Sequence, residues 1–416
     1  MDAGEAKSIG ARARMIRRRR GLSLAVVAGL AGITKQYLSM LERGERGFNT
    51  RGLIEDLAHA LCCSVADLTG QPYPAADRAT VEGRAALPGI SVALNDYGPD
   101  EVPDLTPRPL DELLAWAGHA NEHRDHGRFS LAGRDLGTLI TELQAHALTA
   151  GPGDRPRTFT ALVVACIVAG DVANRIEGNI DLSVSAAGRG YDMAVRSGDP
   201  GLIGFTRWCW ALQLIWLTAR GRASRLLTTG INELGGSVRL RGENTLPGEM
   251  LGFLHLSAAQ CAARDKRDDD ARGHLGEATA IAARIGEHNG LRMHFGPTNV
   301  AVWRLGIGVE LGQGGRAYEV TRTPLEVAAL GSQERSAALH FDLARALVQD
   351  GARRDAEAIR HFDTADRLSP TRLRNDPIAR DLLRTLDRRA PRRTWELDSL
   401  CNRFGIRGQG QRSVDN

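Results

Sequence analysis

The run "ITKQYLSMLERGERG", Ile33 to Gly47, sets a hydroxyl, an ammonium and an amide side by side at Thr34, Lys35 and Gln36, just ahead of a short apolar stripe. A helix starting there turns Leu38 and Leu41 inward and Lys35, Gln36, Ser39, Met40 and Arg43 outward. Hydrogen-bonding groups gathered at the front of a helix can read donors and acceptors on a partner. The same residues also suit an ordinary surface helix with Thr34 as its N-cap. The flanking elements decide between the two.

Ile9, Ala13 and Ile16 form an apolar seam with arginines between them, and Gly21 ends that helix. Ser23 is a good N-cap for a second short helix, Leu24–Leu30, while Ala28 and Gly32 are small where it must approach a third. Leu53, Leu57 and Leu61 predict a fourth helix, and Val65 and Leu68 close a five-helix set. Residues 1–70 hold two lysines, nine arginines and seven acids, a balance of +4, whereas the other 346 residues hold 43 basic and 43 acidic residues. The whole net charge therefore sits in the first 70 residues, where a polyanion would be met. Two short helices joined by a tight glycine-containing turn, inside a basic five-helix unit, have the shape that fits a major groove.

Ile9-Gly10, Arg17, Gly21-Leu22-Ser23, Ala28, Gly32-Ile33, Leu41-Glu42-Arg43-Gly44, Ala58 and Leu61 are many matching positions spread over the unit. On these residues it closely resembles the phage-repressor-like helix-turn-helix domain of the xenobiotic-response-element family. The resemblance implies a DNA reader. Thr34, Lys35 and Gln36 would stand nearest the base edges, where Gln can pair with adenine and Lys can donate to guanine. Ser39 and Met40, one turn on, would reach bases or a thymine methyl. Arg43, Arg46, Thr50 and Arg51 would hold phosphate and set register. Arg17 and Glu42 match a pair that forms a structural ion pair beneath the recognition helix. Leu24 and Val26 depart from the family, which often has Gln and an acid at these positions. The tract Arg17–Arg20 would offset the lost phosphate contact through counterion release, or is simply a solvated face.

The expected class for the whole chain is all-α, in four stretches. The helix-turn-helix unit covers 1–70. Residues 71–109 hold seven of the sixteen prolines and read as a linker, with one short helix near Ile90–Leu94. Residues 110–406 are helical in pattern, and 407–416 are a polar, disordered tail. No apolar run of membrane-spanning length and no secretory leader is expected. The six cysteines are scattered, without a CxxC pair, which suits a reduced, cytoplasmic protein. Three lysines against fifty-one arginines suggest a high-GC bacterial genome.

Within 110–406 the spacing Ala-x3-large-x2-small recurs at Ala187/Tyr191/Ala194, Ala223/Leu227/Gly230, Ala271/Leu275/Ala278 and Ala358/Phe362/Ala365, with a weak copy at Ala317. Small residues seven apart, with a bulky one between, let a helix lie close against its neighbours. The stretch "LHFDLARALVQDGARRDAEAIRHFDTADRLSP" resembles a tetratricopeptide repeat, with two extra residues in its turn. The region is read as a degenerate tetratricopeptide-like α-solenoid of about six or seven hairpins; a plain helical bundle is the competing reading. In the repeat register Phe205, Trp208, Phe253, Asn299 and Phe341 fall on the concave side, with Gln260 and Arg345 one turn on, so these residues would line an aromatic groove for a peptide or small-molecule effector. The alternative is that the rings are core.

No nucleophile, acid–base or phosphate-loop motif occurs, so an enzyme is not expected. His119, His123 and His126 share a helix face at metal-ligand spacing, but no cysteine is near and the flanks look wet; no metal and no cofactor is expected. The architecture also resembles the bacterial peptide-pheromone receptors that act as regulators. The sequence is therefore read as a transcriptional regulator that binds double-stranded DNA, as a homodimer because one small domain covers only a half-site. The solenoid would bind an effector or, alternatively, act as a protein-interaction scaffold.

Overall fold

The computed structural model describes residues 8–74, 77–236, 244–321, 327–392 and 394–406. The expected tail at 407–416 lies outside them. Among the described residues the protein is all-α, with no strand and one isolated bridge between His288 and Phe295.

The N-terminal unit consists of α1 (Ile9–Arg19), α2 (Leu24–Leu30), α3 (Lys35–Arg43), α4 (Arg51–Ala60) and α5 (Val65–Thr69). The side-chain oxygens of Ser8, Ser23, Thr34 and Ser64 accept from the backbone N–H three residues on, which satisfies a donor that helix geometry leaves open. Gly10 lets α1 lie directly on α3, because a Cβ there would stand 1.9 Å from the Leu41 carbonyl oxygen.

Residues 78–95 correct the expectation of a linker with only one short helix near Ile90–Leu94. They form one 18-residue helix, α6 (Arg78–Asn95), with Pro88 inside it. Pro in a helix interior costs about 3 kcal/mol. Here Leu87, Ile90, Ala93 and Leu94 form a buried helical stripe that offsets it. The stretch after α6 is pinned as well: Gln144 Nε2 donates to the Gly98 and Glu101 carbonyls, and Arg189 Nη2 to those of Leu94 and Tyr97. Prolines signal a loss of helix propensity, not a loss of packing.

Then come α7 (Leu110–Asp125), α8 (Phe129–Gly133) and α9 (Leu136–Thr149), followed by hairpins in series. These are α10 (Arg155–Glu177) with α11 (Ile180–Ser197), α12 (Pro200–Trp216) with α13 (Arg220–Gly235), and α14 (Leu246–Arg264) with α15 (Asp268–Ile285). The next are α16 (Pro297–Glu310) with α17 (Gly314–Thr321) and α18 (Gln333–Gln349) with α19 (Asp355–Leu368). α20 (Pro370–Arg374), α21 (Pro377–Arg389) and α22 (Trp395–Arg403) end the array. α10 is long and apolar enough to cross a membrane, yet 78% of its apolar stretch is buried inside the protein. The small-residue motifs all fall on the second helix of a hairpin, in α11, α13, α15 and α19, and the weak copy falls in α17. Their alanines Ala187, Ala194, Ala223, Ala271, Ala278, Ala358 and Ala365 are buried.

Two hairpins repeat a polar detail. His255 Nδ1 lies 3.0 Å from His274 Nδ1, and His340 Nδ1 lies 2.9 Å from His361 Nδ1. In each pair one ring donates and the other accepts, so at least the accepting ring must be neutral. Burial, and then the partner ring, push His255 and His361 down to about 4; burial also lowers His274 and His340. Below about 6.5 the unfolded chain binds protons that the folded pairs refuse, so stability falls as pH drops from about 6.5 toward about 4. Replacing all four histidines with Gln is expected to flatten the melting temperature against pH in that window. An unchanged slope would place the acid sensitivity elsewhere.

Candidate nucleic-acid interface and the cavity behind it

α2 and α3 meet at 106°, joined by a turn in which Gly32 takes φ 64°, a left-handed conformation suited to a residue without a Cβ. α3 is braced from behind. Arg17 Nε and Nη2 donate to the two carboxylate oxygens of Glu42 at 2.6 and 2.7 Å, and Arg17 Nη1 donates to the Leu22 carbonyl at 3.0 Å. One guanidinium therefore ties the end of α1, the approach to α2 and the far end of α3. The hydrogen bonds to Glu42 raise the Arg17 pKa.

The front of α3 is open. Thr34, Lys35 and Gln36 are exposed, and Ser39 and Met40 are half-buried one turn on. Arg43 is exposed, but it holds Glu45 through Nε at 2.6 Å and also donates to the Ser39 hydroxyl. Arg46 is exposed; Thr50 is half-buried at the N-cap of α4 without a side-chain capping bond. Arg18, Arg19 and Arg20 extend the basic surface from α1. Uncharged and cationic donors at the front of one helix, with arginines beside it, suit base edges and phosphates respectively.

Residues 8–69 match the family model of a helix-turn-helix domain. The N-terminal unit is a helix-turn-helix DNA-binding domain. The match covers this domain alone, and no curated protein and no solved structure matches the chain.

Arg51 is a correction to the phosphate-contact set. In this structure the helix-turn-helix domain sits on the hairpin array, and Arg51 is buried in the seam. Its Nη2 donates to Asp376 Oδ2 at 2.7 Å, its backbone N–H donates to Glu310 Oε2 at 2.9 Å, and its guanidinium lies 4.5 Å from the centre of the Trp216 ring. Burial raises both carboxylate pKa values, but the facing arginines, Arg51 for Asp376 and first Arg345 for Glu310, leave both lowered. The cation is drawn inward because fixed acceptors on the array hold it more strongly than solvent does. Other ties follow the same line: the Phe48 N–H donates to Asp381 Oδ2 at 2.6 Å, Arg345 Nη2 to the Asn49 carbonyl at 3.0 Å, and Arg264 Nη1 and Arg220 Nη2 each to Glu55 at 2.8 Å. The side chains of Phe48, Leu57 and Leu61 share one core with Leu347, Leu382 and Leu386.

Behind the seam is a cavity of ≈ 210 Å³. Of the residues placed on the inner face of the repeats, Trp208, Phe253, Gln260, Phe341 and Arg345 line it, and Arg51 of the helix-turn-helix domain closes one side. Phe205 and Asn299 do not line it. Phe205 is buried in the core with its ring 6.3 Å from Trp208, and Asn299 Nδ2 donates to the Met293 and His294 carbonyls. The expected groove is thus a small, partly open cavity, and most of its aromatic rings are buried in its wall. Arg345 is held by Glu310 at 2.6 Å and Asp342 at 2.8 Å.

The cavity also carries residues that repeat phase alone does not single out, among them Arg175 of α10, Arg335 of α18 and Arg372 of α20. A signal for one of them is present. Arg175 stands near the end of "ALVVACIVAGDVANRIE", after a run from Ala161 to Gly170 that carries no charge.

Proposed function

We propose that the protein is a sequence-specific transcriptional regulator of the xenobiotic-response-element type. It binds operator DNA as a homodimer, and its tetratricopeptide-like array holds a small effector. The observation that carries the reading is the exposure of Thr34, Lys35 and Gln36 at the front of an α3 braced by Arg17 and Glu42. Arg43 and Arg46 then meet phosphate, which for Arg43 means exchanging Glu45 for the duplex. Two-fold pairing doubles the contacts of a domain that covers one half-site.

The effector part rests on the cavity at the seam. A compartment of ≈ 210 Å³ lies below the roughly 300–1,000 Å³ of usual ligand pockets, which favours a small molecule over a peptide. A ligand that prefers one placement of the DNA-binding domain changes operator affinity by its difference in affinity between placements.

Selection from a pool of random duplexes defines the preferred site. On it, Gln36→Ala is expected to cost about 1–3 kcal/mol and to relax choice at one base pair, with affinity for random DNA little changed. Equal loss on every duplex would remove Gln36 from the readers.

A further inference from the structure

Among the described residues, eight arginines and four carboxylates line the cavity. Six of the arginines have carboxylate partners: Arg51 with Asp376, Arg124 with Asp171, Arg264 with Glu55, Arg292 with Glu122, Arg345 with Glu310, and Arg372 with Glu334. The lining acids are all engaged as well, Asp125 by His294 Nε2 at 2.8 Å and the Ser332 hydroxyl at 2.6 Å. Among the described residues Arg175 and Arg335 form no ion pair with a carboxylate; Arg335 makes one long contact, Nη1 to Asn299 Oδ1 at 3.5 Å. Both lie in the field of Glu334, but that carboxylate is already bonded to Arg372 and Ser369. Burial, and then the neighbouring Arg372 cation, lower the Arg175 pKa and push Arg335 down to about 10. Two half-buried guanidinium groups thus stand near a third on the cavity wall without a counter-charge of their own.

A second observation points the same way. Five N–H groups on the lining residues are buried without an acceptor: Arg51 Nη1, Arg264 Nε, Arg345 Nε, Arg372 Nε and the Trp303 indole Nε1. The side chains of Arg264 and Arg345 are only 5% and 3% exposed. All five unmatched groups are donors. The wall is rich in cations and donors, and an oxyanion at Arg175 and Arg335 supplies the charge that these two lack. Part of the lining is apolar: the Trp208 ring stacks on Phe253 at 4.5 Å, and the Trp303 ring meets Phe253 edge-on at 6.5 Å.

We propose that the cavity binds a small organic oxyanion, a carboxylate or phosphate on a flat apolar body, with its charge on Arg175 and Arg335 and its body against Trp208, Phe253 and Trp303. The anion supplies an acceptor near Arg51 and so strengthens the seated position of the DNA-binding domain. This last step rests on the regulator reading above; anion binding itself does not.

The test uses the full chain with four probes: phenylacetate, phenyl phosphate, inorganic phosphate and the neutral phenylacetamide. Phenylacetate or phenyl phosphate is expected to raise the melting temperature, and phenylacetamide to leave it unchanged; which of the two acids acts separates carboxylate from phosphate. A rise with inorganic phosphate equal to that with the aryl acids would overturn the apolar half of the site. Arg175→Gln and Arg335→Gln should each weaken binding roughly tenfold or more. Both should leave the melting temperature of the ligand-free protein unchanged or raise it, since each removes a half-buried charge that has no carboxylate partner. A fall in ligand-free stability would make these arginines structural and end the proposal. So would equal binding of the amide, or no response to either aryl acid. Coupling is read as operator affinity with and without the active acid, and no change removes the link through Arg51. If the acids bind while Gln36→Ala shows no base preference, the anion site stands and the regulator reading falls.

Discussion

Glu55→Ala is expected to destabilise the chain by about 3–5 kcal/mol and to loosen the DNA-binding domain from the hairpin array. The side chain is 2% exposed, gripped by Arg264 at 2.8 Å on one oxygen and by Arg220 at 2.8 Å on the other. Burial raises the Glu55 pKa, and the two arginines only partly counter it, so the carboxylate is held there at a cost. Its removal leaves the Arg264 guanidinium buried without a counter-charge, and its Nε already lacks an acceptor. Arg220 loses less, because Asp56 and Asp265 still face it. The double change Glu55→Leu with Arg264→Met should recover much of the loss, since apolar groups of similar volume often replace a buried pair without penalty. Denaturant unfolding of the parent chain and the two variants decides the matter. A loss under about 1 kcal/mol for Glu55→Ala would mean that the seam is held by its apolar contacts alone.

The second large effect concerns the brace beneath α3. Arg17→Ala should cost about 3 kcal/mol, because it strands the Glu42 carboxylate in the domain interior and leaves the Leu22 carbonyl without the Arg17 donor. Its signature on DNA differs from that of Gln36→Ala. Losing a reader changes preference at one base pair; losing the brace lowers affinity for every duplex together, since the whole front of α3 shifts. Unfolding curves paired with binding to the selected site and to random DNA separate the two. A variant of full stability whose sequence preference has changed would make Arg17 a reader.

The N-terminal domain is legible in the sequence because its information is local. Caps at Ser23 and Thr34, the turn at Gly32 and the inward pair Leu38 and Leu41 are each readable within a few residues, and the resemblance supplies the longer link from Arg17 to Glu42. The small-residue rhythm places the second helices of the hairpins for a similar reason: Ala271 and Ala278, on one helical face, serve the same packing in each copy. Arg51 misleads because its place at the start of α4, close behind Arg43 and Arg46, says nothing about Asp376, a partner 325 residues away. α6 escapes because the density of prolines outweighs the stripe Leu87, Ile90 and Leu94. Arg175, Arg335 and Arg372 come from α10, α18 and α20, and their meeting is a property of how these distant helices pack, not of any one hairpin.

The apolar seam shared by Phe48 and Leu382 joins stretches far apart in the polypeptide; the Phe48 N–H bonds a carboxylate 333 positions further on. During synthesis the first domain therefore emerges long before α21, the helix that covers its flank. Until that helix leaves the ribosome, Phe48 has only its own domain's side chains, such as Leu41 and Leu57, to share a core with.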